Sequence, residues 1–386
     1  MAIAMIYLDH NASAPLRPEA AQAVMRLLDP ALGNPSSVHG PGRAARKVLD
    51  EARRDVAAGL GVHPGRVVFT SGGTEANAWA LWGVAQVRGF RGRLLISAVE
   101  HPSVRAPAQA LAGLGMEVVR CPVDGQGLVD PDTLESLLTA ETVLVALMHA
   151  NNETGVIQPV AEVARRCRAR GVPLLVDAVQ SFGKIPLSPD ALGAALVSLS
   201  AHKLGGPKGV GALVCDNILD LAPLVSGGGQ ERGRRSGTEN LLGIAGFAAV
   251  VAPALAQLDA ESARLRELRD ALEVRLLEEL PALVVLGASA PRLPNTSLLA
   301  IPGVEGETLL MALDLAGCAA SAGSACSSGR TTPSPVLEAM GVDPVLARGA
   351  LRVSLGWNTS AADVERFSRV LLETVRRLHS LASPVG

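Results

Sequence analysis

The chain has 386 residues, of which 48% are apolar, and a formal net charge of −2 with both signs dispersed along it. Two or three compact units with ample cores are expected, and neither nucleic acid nor an anionic membrane is an expected partner. Five cysteines form no Cys-x-x-Cys pair. This disfavours a disulfide framework or a structural zinc site and indicates a reducing, cytoplasmic compartment. No apolar run is long enough to span a membrane.

Strands and helices alternate from about residue 20 to residue 225, which predicts a doubly wound α/β domain. The segment 226–237 is rich in glycine and charge and predicts a loop. A long helix follows, in which leucines recur at helical spacing until Pro281, and this stripe predicts packing rather than function. Short elements from about Ala282 onward indicate a smaller α+β domain. We therefore predict an N-terminal segment that packs with the small domain (1–15), a large cofactor-binding domain (16–250) and a small C-terminal domain (251–386).

The first candidate binding element is the run Ser71-Gly72-Gly73-Thr74, between a β-rich stretch and an alanine-rich stretch, Ala76 to Ala85, that predicts a helix. Glycines let backbone N–H groups turn toward an anion, and the helix N-terminus adds a favourable dipole. The run is neither Gly-x-Gly-x-x-Gly nor a Walker loop, which disfavours nucleotide binding. Alone it is a weak signal, because Ser or Thr before a helix is usually only a cap.

Two later strand ends bear residues suited to a covalent cofactor. Asp177 ends one apolar run, and Lys203 follows another in Ser-Ala-His-Lys, as one of only four lysines among 35 basic residues. Unlike arginine, a lysine can become a nucleophilic amine. A βαβ crossover would place both ends at one edge of a parallel sheet, where ligands bind. The pair indicates pyridoxal phosphate, which needs a lysine and an acid at its pyridine nitrogen. The alternatives are a surface lysine and a turn-capping aspartate.

A second chemical signal is the segment 316–335, which has no large apolar side chain and is predicted to be a loop. A segment that buries little is held by few contacts and tends to be mobile. Cys326 lies in this segment, and we predict that its thiol reaches into a cleft, reacts and swings out. The other cysteines, including Cys318, are predicted to be small buried hydrophobic residues.

A set of short motifs extends from Tyr7 to about Gly356. In order they are Tyr7-Leu8-Asp9-x-Asn11-Ala12, Gly33-Asn34-Pro35-Ser36-Ser37, Thr70-Ser71-Gly72-Gly73-Thr74-Glu75, Glu100-His101, Asn151-Asn152-Glu153-x-Gly155, Val176-Asp177-Ala178-x-Gln180, Ser200-x-His202-Lys203, Arg232-x-x-Arg235-Ser236-Gly237-Thr238 and Gly323-Ser324-Ala325-Cys326. Jointly they resemble group I cysteine desulfurases, the NifS/IscS-like branch of the class V aminotransferase family. The long loop around Cys326 is closer to the nitrogenase-associated NifS type than to the SufS branch.

The resemblance implies the α/β fold of PLP-dependent transferases of fold type I, with a large, mainly parallel or mixed sheet and a smaller α+β domain. It also implies a homodimer in which Thr238 reaches the phosphate of the partner subunit's site. Lys203 would bind pyridoxal 5'-phosphate covalently and then move the Cα proton, while Asp177 pairs with the ring nitrogen and Gln180 with the phenolic oxygen. The residues implied to bind the cofactor are Gly73, Thr74, Asn152, Asp177, Gln180, Ser200, His202, Lys203 and Thr238.

For the substrate, L-cysteine, the resemblance implies a carboxylate clamp by Arg352, helped by Asn34 and Asn152. His101 would stack on the cofactor ring and assist acid/base steps, although it could instead only cap the helix that starts at Pro102. The Cys326 thiolate would attack the substrate sulfur, leaving alanine and a persulfide. An iron–sulfur scaffold protein of the IscU/NifU type would accept the sulfur. No resident metal is implied, beyond contact of Cys326 with a transient iron–sulfur cluster shared with a partner.

Two departures from the family pattern could alter the shape of the site. His10 to Ala14 stand where Asn-Ala-Thr-Thr is usual, and Gly205 replaces a bulkier side chain. Two other functions stay open. One is a different pyridoxal phosphate enzyme, such as an aminotransferase or selenocysteine lyase, which would not need Cys326 in the same way. The other is a non-enzymatic binding protein with a decayed site.

Overall fold

The computed structural model describes residues 5–28, 32–216, 219–322 and 334–382. The strands are β1 (Ile6–Tyr7), β2 (Val67–Thr70), β3 (Arg93–Ser97), β4 (Glu117–Cys121), β5 (Thr142–Met148), β6 (Leu174–Asp177), β7 (Leu196–Ser200), β8 (Gly211–Cys215), β9 (Val284–Val285), β10 (Thr296–Ala300), β11 (Cys318–Ala319), β12 (Ser321–Ala322) and β13 (Ala350–Ser354). The helices are α1 (Pro18–Arg26), α2 (Gly40–Leu60), α3 (Gly73–Val87), α4 (Pro102–Ala112), α5 (Pro131–Leu137), α6 (Val160–Ala169), α7 (Pro189–Leu192), α8 (Leu241–Ala256), α9 (Leu258–Glu279), α10 (Gly306–Leu315), α11 (Pro335–Ala339), α12 (Pro344–Arg348) and α13 (Ala361–Ala382).

A seven-stranded sheet in the order β2-β8-β7-β6-β5-β3-β4 forms the larger part of the molecule. β8 runs antiparallel to both of its neighbours, and the other pairs are parallel, so the sheet is mixed. Alternate residues of β5 enter different cores: Val145 packs beneath one face with residues of α2 and α8, and Leu144 beneath the other with residues of α3 and α4. A sheet covered on both faces needs continuous apolar strands. The predicted doubly wound domain is therefore confirmed.

The direction of the strands brings several chain segments to one edge of this sheet. β6 and β7 are parallel neighbours with Asp177 opposite Ser198. β7 is followed by a 3₁₀ turn at Ala201–Lys203. β2 also runs parallel to β7, because β8 is antiparallel to both. The carboxyl ends of these strands therefore place the start of α3, Asp177 and Lys203 at the same edge, as predicted for a ligand site.

The smaller part is built on a four-stranded antiparallel sheet, β12-β13-β10-β9, and on the pair β1-β11. Residues of α9, α10 and α13 pack together in its core. Leu265, Leu272 and Leu276 are buried there, which confirms that the leucine stripe serves packing. β1 pairs with β11, and Asp9 forms a bridge to Ser354, so the start of the chain contacts this smaller part.

The segment predicted as a loop over 316–335 is structured at both ends, and that prediction needs correction. Cys318 and Ala319 form β11, and Ser321 and Ala322 form β12. Small side chains do not prevent strand pairing, because the backbone makes the hydrogen bonds. At the other end, Ser334 caps α11. Cys326 lies outside the described residues.

Within the described residues, no single helix is long and apolar enough to cross a membrane, although α8 and α9 meet the length and composition requirement together, bent by 77°.

Candidate active site

A cavity of about 650 Å³ opens at the carboxyl edge of the large sheet. It brings together most of the residues predicted from the sequence: Gly73, Thr74, His101, Asn152, Asp177, Gln180, Ser200, His202, Lys203 and Arg352. It also includes residues to which the sequence assigned no role, among them Asn11, Asn77, Ser103 and Lys208.

Lys203 lies in the 3₁₀ turn after β7, and its amine enters the cavity. Its Nζ donates hydrogen bonds to the backbone oxygens of Asn11 and Ala12, the latter at 2.8 Å. Burial, and then the nearby Arg352 guanidinium, lower the pKa of Lys203 to about 8, against the opposing effect of two carboxylates. A larger fraction of the amine is therefore neutral near physiological pH, as a nucleophilic lysine requires.

Asp177 ends β6 and is almost fully buried, yet both of its oxygens accept hydrogen bonds. The backbone N–H of Val179 donates to Oδ1 at 3.0 Å, and Asn77 Nδ2 donates to Oδ2 at 2.8 Å. A carboxylate has about four acceptor positions, so Asp177 can still accept from a protonated ring nitrogen.

The N-terminus of α3 forms a cradle suited to a phosphate. Its first N–H groups have no intrahelical acceptor, and the helix dipole favours an anion there. Glycine is required at position 73, because a Cβ there would lie 2.6 Å from Val179 Cγ2. Burial, and then the charges of Lys203, Lys208 and Lys184, lower the pKa of His202 to about 4. The cradle, Asp177 and Lys203 together fit pyridoxal phosphate.

Arg352, on β13, forms the opposite side of the cavity. One terminal nitrogen donates to Asp9 Oδ1 at 2.7 Å and the other to the backbone oxygen of Asn152 at 3.0 Å. Its Nε is buried and has no partner among the described residues. The guanidinium is thus held in place while keeping unused donors, as a carboxylate clamp requires.

His101 is both the N-cap of α4 and a cavity residue, so capping does not prevent it from reaching the cavity; its role toward the cofactor stays a prediction. It is the N-cap of α4, and its Nδ1 accepts from the backbone N–H of Ser103 at 3.1 Å. Burial lowers the pKa of His101, and the charges of Lys203 and Arg105 lower it further, while Asp177 opposes them.

Asn11 lies in the cavity, although the sequence gave it no individual role beyond its place in a quoted motif. Its backbone oxygen accepts from Gln180 Nε2 at 2.9 Å as well as from Lys203. Its Oδ1 accepts from Lys184 Nζ at 3.0 Å, and its Nδ2 donates to Thr296 Oγ1 at 2.9 Å. Burial lowers the pKa of Lys184 well below its ordinary value. The scarcity of lysines was the one sequence signal that could have drawn attention to Lys184.

Two predicted residues, Asn34 and Thr238, do not line the cavity of the single chain and are exposed. Asn34 Oδ1 accepts from the backbone N–H of Ser36 at 2.9 Å. Thr238 follows Arg235, which pairs with Glu75 at 2.7 Å. Their roles stay predictions.

The four cysteines within the described residues are all buried, as predicted: Cys121, Cys167, Cys215 and Cys318. Burial raises the pKa of Cys121 to about 11, which makes a poor nucleophile.

The fold and the cavity are those of the class V aminotransferase family. The sequence matches the aminotransferase class-V family over residues 6–367, and the chain belongs to that family. It is 43% identical to a cysteine desulfurase of Cereibacter sphaeroides, over 99% of this chain and 98% of the relative. It is 41% identical to cysteine desulfurase IscS of Dictyoglomus turgidum, over 98% of this chain and 96% of the relative. A solved NifS-like protein, 36% identical, matches with a TM-score of 0.90 over 97% of this chain and 100% of its own. The predicted family and fold class are confirmed.

Proposed function

We propose that the protein is a pyridoxal-phosphate-dependent cysteine desulfurase, which converts L-cysteine to L-alanine and transfers the sulfur to Cys326. The observation that supports this most strongly is the convergence of Lys203, Asp177, the α3 N-terminus and Arg352 on one cavity. It occurs in a chain that is similar over nearly its full length to cysteine desulfurases.

Several residues of the cavity would hold the cofactor. Lys203 would bind it covalently, Asp177 would contact the ring nitrogen and Gln180 the phenolic oxygen. The phosphate would be held by Gly73 and Thr74 at the start of α3, with Ser200 and His202, and by Thr238 of a second subunit. When bound, pyridoxal phosphate supplies an electron-accepting ring that stabilises negative charge at the substrate Cα.

The chain's own groups would then perform binding and proton transfer. Arg352 would hold the substrate carboxylate through two parallel hydrogen bonds, with Asn152 beside it and Asn34 assisting. The amine of Lys203 is partly neutral because of its lowered pKa. It would remove the Cα proton and return it.

The sulfur step requires the thiolate of Cys326, since the thiolate is the nucleophilic form. The thiolate would attack the substrate sulfur, forming a sulfur–sulfur bond while the bond between substrate Cβ and sulfur breaks. The electron pair of the broken bond would stay with the substrate carbon, and Cβ would take up a proton. The products are alanine and a Cys326 persulfide, so that one sulfur atom moves and no external oxidant is needed.

Finer aspects of the function belong to the same proposal. We propose a homodimer, a cytoplasmic location and division into a large domain (16–250) and a small domain (251–386). The sulfur acceptor would be an iron–sulfur scaffold protein, with Cys326 meeting a transient cluster there. The resemblance of the sequence around Cys326 to the NifS type supports a role in nitrogen fixation.

The test is to incubate the purified protein with L-cysteine and a thiol reductant and to measure alanine and sulfide together. Wild type should form both in equal amounts, and Lys203→Ala and Cys326→Ala should form neither. Lys47→Ala is the matched control, because Lys47 is an exposed lysine of α2. A yellow protein that makes neither product from cysteine would contradict the proposal. Full alanine formation by Cys326→Ala would instead favour a lyase that does not use Cys326.

A further inference from the structure

A buried row of hydrogen-bonded side chains, the polar chain, connects His101 to Asp177 through Ser103 and Asn77. His101 Nδ1 lies 2.9 Å from Ser103 Oγ. Asn77 Nδ2 donates to Ser103 Oγ at 2.9 Å and to Asp177 Oδ2 at 2.8 Å. Asn77 is fully buried and Ser103 nearly so. All four residues line the cavity. The polar chain therefore joins the groups expected at the ring nitrogen and at the ring face.

The orientation of Asn77 follows from its two neighbours. Its amide nitrogen has two hydrogens, and each has an acceptor, Ser103 Oγ and Asp177 Oδ2. The reversed amide would place its oxygen against the Asp177 carboxylate, which can only accept when ionised. Asn77 is therefore the donor at both ends, and the Ser103 oxygen is an acceptor.

The hydroxyl hydrogen of Ser103 is then directed toward His101. Since its oxygen accepts from Asn77, Ser103 can donate to His101 Nδ1. The backbone N–H of Ser103 also donates to that nitrogen at 3.1 Å, and a backbone N–H cannot accept. Two donors thus point at Nδ1, which must be unprotonated. The ring hydrogen is on Nε2, which has no hydrogen-bond partner among the described residues.

Burial is the main cause that keeps His101 neutral, because it lowers the pKa of the ring. Lys203 and Arg105 oppose a positive charge on the ring, and only Asp177 favours one. His101 also lies at the N-terminus of α4, an 11-residue helix, whose dipole disfavours a cation. A histidine at a helix N-terminus can stay neutral and serve as a hydrogen-bond donor.

We infer that Ser103 and Asn77 are positioning residues that fix His101 as the neutral tautomer with its proton on Nε2. His101 then donates a hydrogen bond into the cavity, and in this tautomer its Nε2 cannot act as a base. Because Nε2 is already protonated, it cannot accept the Cα proton, which leaves that task to Lys203. This departs from the acid/base role expected from the sequence. The acceptor of the hydrogen bond from His101 depends on the proposed function, whereas the tautomer of His101 does not.

The tautomer can be read directly by NMR of the purified, cofactor-containing protein labelled with 15N-histidine. The His101 signals are identified by their loss in His101→Gln. We expect a protonated Nε2, an unprotonated Nδ1 and a titration midpoint below the ordinary value of about 6.5. A proton on Nδ1 in wild type would overturn the inference without any further variant.

The chain offers a matched control for the role of Ser103. His149 is a second buried histidine whose Nδ1 lies 2.9 Å from a serine hydroxyl, that of Ser181. Ser103→Ala should raise the His101 midpoint by about half to one pH unit, the effect of one lost hydrogen bond. Ser181→Ala should leave the His101 midpoint unchanged. Equal His101 midpoints in wild type and Ser103→Ala would show that Ser103 does not hold the ring.

Kinetics separate hydrogen-bond donation from proton transfer. The glutamine of His101→Gln can present an N–H near the position of Nε2, whereas His101→Ala cannot. We expect His101→Gln to form alanine about tenfold faster than His101→Ala, consistent with one retained hydrogen bond. Equal losses of about 10²-fold or more in both variants would indicate general acid/base catalysis and contradict the inference. If wild type makes no alanine, the proposed function fails, and the NMR result still decides the tautomer.

Discussion

The two sides of the cavity are built in different ways. The cofactor wall consists of residues at the strand ends of one sheet and at the start of α3: Gly73, Thr74, Asp177, Ser200 and Lys203. The carboxylate wall consists of Asp9, Asn152 and Arg352, which lie far apart in the sequence. Arg352 contacts Asn152 across 200 positions and Asp9 across 343. One wall therefore follows from local chain direction, and the other requires separate parts of the molecule to dock.

Because of this difference, mutations in the two walls should have different effects. The cofactor wall depends on the buried framework of the large sheet, so damage to that framework should affect folding. The carboxylate wall is held by one ion pair, between Arg352 and Asp9, and by one hydrogen bond from Arg352 to the backbone of Asn152. Changes there should weaken substrate binding while the cofactor and the fold are retained. Each prediction below tests this separation.

The largest effect is expected from removal of the ion pair behind the cofactor wall. Arg53 of α2 donates to both carboxylate oxygens of Glu231, at 2.6 and 2.8 Å, and both side chains are almost fully buried. Glu231 also accepts from the backbone N–H of Phe69 in β2 at 3.1 Å. Arg53→Ala leaves a buried carboxylate without its cation and should lower the free energy of unfolding by about 3–5 kcal/mol.

Urea denaturation checks this value, with Arg46→Ala as the control. Arg46 forms an exposed ion pair with Asp50 one helical turn away, and its loss should cost about 0.5 kcal/mol or less. Similar unfolding midpoints for the two variants would contradict the view that the cofactor wall depends on buried support.

The next largest effect is expected at the carboxylate wall itself. Arg352→Ala removes the guanidinium that would bind the substrate carboxylate, and kcat/KM for L-cysteine should fall by about 10²-fold or more. Absorbance of the bound cofactor and the unfolding midpoint should be retained. Arg348→Ala is the control, because Arg348 pairs with Glu305 at an exposed position. Loss of cofactor from Arg352→Ala would show that the walls are not separable.

A smaller effect is expected from the residue that orients the clamp. Asp9 accepts from Arg352 at 2.7 Å, and Asp9→Asn would replace a charged contact with a neutral one. KM for L-cysteine should rise by about tenfold, the value of one charge-assisted hydrogen bond. Steady-state kinetics would measure it. An unchanged KM, with reduced kcat alone, would mean that Asp9 acts on the reaction and not on the clamp.

The cofactor wall was largely predictable from the sequence, because its residues directly follow apolar strands. Asp177 and Lys203 each end or follow such a run, and parallel strands place their carboxyl ends together. Asn77 and Ser103 were missed for a physical reason. They lie on helices α3 and α4, where periodicity indicates which face is buried but not which polar partner it meets.

The carboxylate wall could be assigned only through the family resemblance. Nothing in the local sequence of Asp9 or Arg352 indicates that the two meet, since they belong to β-structure at opposite ends of the chain. The prediction for residues 318–322 was wrong for a different reason. Their lack of apolar bulk suggested a loop, whereas backbone pairing with β1 and β13 places them in strands.

The smallest effect tests whether the charge of Arg352, in the carboxylate wall, changes the pKa of Lys203, in the cofactor wall. Lys203 has a pKa of about 8, lowered first by burial and then by Arg352. Covalent attachment of pyridoxal phosphate to the cofactor-free protein needs the neutral amine, so its rate should rise with pH to a midpoint near 8. Arg352→Gln removes a positive charge that disfavours the protonated amine, and the midpoint should move up by about half a pH unit. Arg348→Gln should leave the midpoint in place. Stopped-flow absorbance would follow the attachment, and an unmoved midpoint in Arg352→Gln would assign the lowered pKa to burial alone.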